Sequence, residues 1–270
     1  RTITECRNNP DQTQWVGISV EKGKKSQALK KIPETDAIFA QVALVNGTAD
    51  ADETSLRMSV DAKGTILLAL LSRGGYNRVK VKALDHDFRP DQTVTPIGVF
   101  LPRYNELYIF LTTGPVTSDL IVDCIHDVWL VIEERFPLVR SLVLNQDNGP
   151  ECHRRRTQIM KRITDLADQF QLTIQLAYYP PYHSKYNPIE RVWGVLENYW
   201  HGSLLDTLET VFHFAHNMTY NGVHPLVEIV QTTYHTGVKL TRQAMDELEQ
   251  RFERLPGLEK WFVCIRPIPL

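Results

Sequence analysis

The chain has 270 residues, 43% of them hydrophobic and 23% charged, with a formal net charge of −2. That is enough for one large domain or two small ones with a real apolar core. It is too little positive charge for a protein that coats nucleic acid by bulk electrostatics, though local basic patches remain open. No apolar run approaches the ~20 residues that a membrane-spanning helix needs. The opening "RTITECRNNP" lacks the basic-then-apolar form of a signal peptide. Cys6, Cys124, Cys152 and Cys264 form no C-x-x-C pair, so reduced thiols in a cytoplasmic protein are the simplest account.

Residues 1–55 read as a polar, basic linker, with Lys22, Lys24, Lys25, Lys30 and Lys31 in one short window. A solvated linker and an arm on the DNA backbone are both compatible with that run. From 56 the pattern changes: "LRMSV-DAKG-TILLALLS" reads as strand, tight turn, strand. "RVKVKAL" (78–84) alternates with the period of a half-exposed strand. Residues 85–104 read as a Pro-rich excursion from the sheet, and "ELYIFLTT" (106–113) as another strand. Apolar residues at helical spacing mark 116–136, with Ser118 as candidate N-cap.

"LVRSLVLNQ" (138–146) is a buried-strand candidate ending at Asp147, 154–170 a helix, and 172–179 a strand. A loop, "YYPPYHSKYN", then leads into "NPIERVWGVLE", where Asn187, Pro188 and Glu190 form a helix-start signature. Further helices are expected near 204–220 and 240–254. This order predicts an α/β fold, a mixed sheet flanked by helices. Reactive side chains in such sheets gather just past the carboxyl ends of central strands.

Asp61 and Asp147 both sit at the end of an apolar run, and Glu190 at the start of a helix. Each has an ordinary explanation, as a turn residue or a cap. Together they are what a pair of Mg²⁺ ions needs: hard oxygen ligands, few in number, with water and phosphate completing each shell. Two such ions ~3.5–4 Å apart activate a water or a 3′-hydroxyl and stabilise the leaving oxygen of an in-line phosphoryl displacement.

The stretches "MSVDAKG", "LVLNQDNGPE" and above all "YYPPYHSKYNPIERVWGVLE" resemble the DDE transposases of bacterial insertion sequences. The group is mariner-like, and "IPETDAIFAQV", "ALDHDF" and "TGVKLT" are similar to its ISAzo branch. The resemblance runs from about residue 30 to the C-terminus. It implies a ribonuclease H-like catalytic domain over 56–235, followed by a C-terminal helical extension over 236–270. No helix-turn-helix is expected ahead of it in this chain. It implies Asp61, Asp147 and Glu190 as catalytic, metal-binding residues with two Mg²⁺ or Mn²⁺ ions. The implied reaction is DNA 3′-end cleavage and strand transfer, with terminal repeats and target DNA as partners and a homodimer on DNA. A metal-dependent nuclease without strand transfer, or a silent DNA-binding remnant, is the alternative.

Arg154, Arg155, Arg156, Lys161 and Arg162, just after Asp147, are candidate phosphate contacts, as are Lys185, Lys24 and Lys25. An exposed helix face is the plainer reading of the arginine run. Tyr178, Tyr179 and Tyr182 have the chemistry to stack on an unpaired base, yet such residues in a Pro-rich loop more often pack. Glu197, one heptad after Glu190, reads as a surface glutamate with a further catalytic acid as the alternative. Val192, Trp193, Leu196, Tyr199 and Trp200 form an apolar stripe that would anchor the helix. His213 and His216 read as structural, and Asp85 and Asp87 as substitutes for Asp61.

Overall fold

A computed structural model describes residues 31–70, 92–147 and 152–269. In chain order these form α1 (Thr35–Ala51), β1 (Ser55–Ala62), β2 (Ile66–Leu67), β3 (Thr93–Leu101), β4 (Glu106–Thr112) and α2 (Ser118–Ile132). Next come β5 (Ser141–Asp147), α3 (Cys152–Phe170), β6 (Thr173–Tyr179), α4 (Ile189–Tyr199) and α5 (Leu208–Asn217). The chain closes with β7 (Leu226–Ile229), α6 (Arg242–Glu249), β8 (Phe252–Arg254) and β9 (Phe262–Ile265).

The sheet runs β7-β4-β3-β1-β5-β6-β9-β8, with β2 attached to β3. An antiparallel meander of β1, β3 and β4 is extended by parallel β5 and β6. This is the ribonuclease H-like mixed sheet expected from the sequence. Strand alternation sends Leu56, Met58 and Val60 to one face, where α2 and α3 cover them. On the other face α4 and α5 bury Phe100, Ile109 and Leu111 with Val192, Trp193 and Leu196.

Residues 35–51, expected as linker, are instead helix α1. Ile38, Val42, Val45 and Ala49 recur at spacings of four and three, and all are buried against the sheet. Lys24 and Lys25, the expected phosphate contacts ahead of this helix, lie outside the described residues.

Part of 85–104, expected as irregular, is the central strand β3 despite Pro96. The Pro96 carbonyl accepts from Lys63 N (2.9 Å) one residue beyond the end of β1. The N–H that proline lacks is therefore missing only where the neighbouring strand has run out. Of the expected strand 65–72 the described residues, up to 70, form only β2, while 78–84, Asp85 and Asp87 lie outside the described residues.

The C-terminal region is not purely helical. After α6, strand β9 pairs antiparallel with β6, and β8 pairs with β9. Phe262, Val263 and Ile265 are buried there, a short apolar run in a segment read only for its helix. Ser118 does not cap α2; the neighbouring Thr117 hydroxyl does, accepting from Leu120 N at 3.2 Å.

Candidate active site

Strands β1 and β5 run parallel with Ser59 opposite Asn145. Two residues further along these adjacent strands stand Asp61 and Asp147, on the same face as Ser59 and Asn145. The two acids also line a cavity of about 170 Å³ with Val60, Ala62, Gln146 and Tyr178. Glu190 enters from the first turn of α4. It is near enough for its charge to raise the pKa of both aspartates. Thus β1, β5 and α4 bring the three acids expected from the sequence into one electrostatic unit.

Glu190 is not a cap. The Asn187 N–H, which a capping glutamate would take, donates to Ser184 O at 2.7 Å, and Pro188 at the N-cap position offers no side-chain hydrogen bond. Its carboxylate makes no hydrogen bond or ion pair with any described residue. Asn187 is not a cap either: it is fully buried, and its side chain reaches Ser59 and the Val60 carbonyl of β1.

Desolvation pushes the Asp61 carboxyl up to about 7, opposed by a hydrogen bond from Trp193 and reinforced by Asp147 and Glu190. Asp147 is pushed up to about 6 by desolvation and by Glu190. One oxygen of Asp147, Oδ1, is buried with no hydrogen-bond partner among the described residues. Among the described residues no group of three or more His, Cys, Asp or Glu side chains is drawn together tightly enough to hold an ion as it stands. The donor set nevertheless fits a hard divalent cation: carboxylates only, mutually repelling, with one buried oxygen lacking any donor.

A raised carboxyl pKa has a definite sign. The folded, cation-free protein holds these protons more tightly than the unfolded chain, whose Asp pKa is ~3.9. Their stabilising contribution is complete below pH ~4 and is lost as pH rises through about 6 and about 7. Carboxyls held low by hydrogen bonds or ion pairs, such as Asp168 and Glu106, act in the opposite sense but at more acidic pH. Thermal melting in a chelating buffer is therefore expected to show stability falling between about pH 4 and about pH 7. Mg²⁺ or Mn²⁺ is expected to reverse that fall; a flat or rising profile without metal would contradict the assignment.

Three residues at the site had not been read as working parts. Trp193 Nε1 donates to Asp61 Oδ2 at 2.9 Å, so the residue expected only to anchor the helix also holds a catalytic candidate. Gly98, opposite Asp61 on β3, has no room for a side chain. A Cβ there would lie 2.7 Å from Ile189 Cδ1 and 2.7 Å from Trp193 Cη2. Lys63 ion-pairs with Glu197, which also accepts from Trp200 Nε1 at 2.8 Å. Glu197 is thus partnered by a cation, and nothing here gives it a place among the acids. The nearest sequence signal was the Trp three positions after Glu190; Gly98 carried none without its neighbours.

The candidate DNA contacts divide. Arg162 is not a free cation: it pairs with Asp123 and Asp119 and ties α3 to α2. Lys161 is exposed and pairs with Asp165 (2.6 Å), one turn along α3. Arg154, Arg155 and Arg156 fall in the first turns of α3. Lys185 is exposed on the 3₁₀ turn Ser184–Tyr186, its Nζ 5.1 Å from the Tyr186 ring centroid. Tyr178 and Tyr179 are buried and unavailable for stacking, whereas Tyr182 is exposed. His183 packs, with Nδ1 2.8 Å from Pro181 O and its ring edge-on to Phe39 of α1. Tyr199, expected in the apolar stripe, is 46% exposed. Among the described residues no helix is long and apolar enough to cross a membrane.

A family model described as "Rhodopirellula transposase DDE domain" matches residues 14–267. No curated protein matches the chain significantly. Among solved structures, the Mos1 transposase paired-end complex with left transposon end is similar at 10% identity and a TM-score of 0.48. It covers 72% of this chain, which spans only 57% of the Mos1 chain. The Mos1 mariner paired-end complex with Mn gives 10% identity, a TM-score of 0.48, and 73% and 57% coverage. The Mos1 strand transfer complex gives 11%, 0.48, 73% and 56%.

Proposed function

Since the chain belongs to the family of transposase DDE domains, its match covering residues 14–267, we propose that it is a polynucleotidyl transferase acting on the ends of an insertion sequence. The observation that carries this reading is that Asp61 and Asp147 line one cavity at adjacent strand ends, with Glu190 in electrostatic contact with both. A structural role alone gives no reason to collect three carboxylates whose proximity costs free energy. The three acids would hold two Mg²⁺ or Mn²⁺ ions. Those ions supply Lewis-acid activation of the attacking hydroxyl and stabilisation of the leaving oxygen.

The chain's own residues do the positioning. Trp193 holds one oxygen of Asp61, which fixes where the carboxylate points. Asp147 ends a buried strand, so its placement is set by the sheet ladder. Glu190 stands on the buried helix α4 and reaches in from beside the strands. In the first reaction, water attacks a DNA phosphorus, the bond to the 3′ oxygen breaks, and a free 3′-hydroxyl leaves. In the second, that hydroxyl attacks a phosphodiester of target DNA and displaces a second 3′ oxygen. Lys185 and the arginine run Arg154, Arg155 and Arg156 are the proposed phosphate contacts, without sequence readout. Two copies acting on two element ends, in the cytoplasm where bacterial DNA lies, complete the reading.

A nicking and strand-transfer assay on DNA carrying the element's own terminal repeats tests it. Cleavage that leaves 3′-hydroxyl ends and needs Mg²⁺ or Mn²⁺ is expected. Metal-independent cleavage, or a covalent protein–DNA intermediate, would overturn it.

A further inference from the structure

Along one face of β1 stand Arg57, Ser59 and Asp61, three polar residues on strand positions that point toward α1 and α4. Burying polar side chains costs free energy unless each finds a partner. Each does, on α1, on α4 or on the residues that lead into α4, with Asn145 of β5 also 3.4 Å from Arg57 Nη1. Arg57 binds Asp50 of α1 through Nε (2.9 Å) and Nη2 (2.5 Å). Asp61 accepts from Trp193 of α4. Ser59, fully buried between them, binds the residues that open α4.

The Ser59 contacts form a closed set. The Ile189 N–H donates to Ser59 Oγ at 3.1 Å, and the Ser59 hydroxyl donates to Asn187 Oδ1. Asn187 Nδ2 donates back to the Val60 carbonyl at 3.4 Å. Asn187 is fully buried, and its own carbonyl accepts from Glu190 N at 3.0 Å. One short network thus runs from the residue two before Asp61 to the amide of Glu190. A first helical turn left without a capping side chain is held by the strand instead.

We infer that Ser59 and Asn187 are positioning residues: a latch that fixes Glu190 relative to Asp61, so that the cation-binding geometry depends on it. The inference rests on the proposed function, since it concerns how those acids are held. Helix α4 has apolar contacts enough to stay docked without the latch, because Ile189, Val192, Leu196 and Trp200 are all fully buried. The latch therefore sets where the helix starts rather than whether it packs.

Mn²⁺ binding, followed by the electron paramagnetic resonance of the free ion with no DNA present, tests this directly. Ser59→Ala and Asn187→Ala are expected to weaken binding roughly 10–100-fold, as loss of an outer partner of a metal site does. Val192→Ala, which loosens the same helix from the core, is expected to lower the melting temperature and leave Mn²⁺ affinity unchanged. Unchanged Mn²⁺ affinity in both latch variants would overturn the inference. So would an equal loss in Val192→Ala at a matched fall in melting temperature. Should Asn187→Ala fail to fold, Ser59→Ala, which removes one hydroxyl, decides. Wild-type protein that neither binds Mn²⁺ nor cleaves DNA would instead sink the functional reading itself, and the latch with it.

Discussion

Asp147→Asn is expected to remove metal-dependent DNA nicking, a fall of at least roughly 10³-fold, while leaving the fold intact. Two-metal activation contributes several kcal/mol of transition-state stabilisation, and each 1.36 kcal/mol is a factor of ten. Asn keeps the shape of the side chain but supplies only a neutral amide where a charged ligand is needed. Stability should move the other way. At pH 8 without metal, an ionised Asp147 sits desolvated beside Glu190, with one oxygen lacking a hydrogen bond from any described residue. Neutralising it is expected to stabilise the protein by on the order of 1–2 kcal/mol, a rise of a few degrees in melting temperature. Lost activity joined to gained stability distinguishes a functional carboxylate from a structural one. Retained nicking, or a large loss of stability, would count against the assignment.

Gly98→Ala is expected to damage the same site from the opposite side of β1. The new Cβ would meet Ile189 Cδ1 at 2.7 Å and Trp193 Cη2 and Cζ2 at 2.7 and 2.8 Å. Ile189 is fully buried and Trp193 is 4% exposed, so neither has open space to retreat into. Overpacking of this kind costs about 1–3 kcal/mol. It should also lift α4 and lengthen the Trp193–Asp61 hydrogen bond, so activity should fall by more than stability alone explains. Urea unfolding and the nicking assay together check this. Combining Gly98→Ala with Ile189→Val should recover part of the lost stability, because the two residues touch and their effects are not additive. Wild-type stability in Gly98→Ala would show that α4 accommodates the methyl.

The three acids were legible because each ends or begins an element. A strand-end Asp and a helix-start Glu stand out against apolar runs even when neither can be distinguished from a turn or a cap. The helix-start signature itself misled, for Asn187 has the chemistry of a cap and spends it on β1. Strand β3 was obscured by Pro96, whose tolerance depends on where β1 ends, a fact of pairing and not of local sequence. Helix α1 was hidden by its lysine-rich approach, although its apolar stripe is plain once sought. Arg162 looked like one of a cationic run, yet Asp119 and Asp123 lie some forty positions earlier and meet it only through the packing of α2 on α3. Gly98 had no signal at all, since its role is to be absent where Trp193 passes. Local chemistry was readable; partners brought together by the sheet were not.

The central claim is that Asp61, Asp147 and Glu190 hold two cations for phosphoryl transfer. A crystal structure of the protein soaked with Mn²⁺, read by anomalous scattering, tests it most directly. The account predicts two ions about 3.5–4 Å apart, with oxygens of Asp61, Asp147 and Glu190 as their protein ligands and Trp193 still bonded to Asp61. Mn²⁺ elsewhere on the surface, with Glu190 turned away from both aspartates, would contradict it.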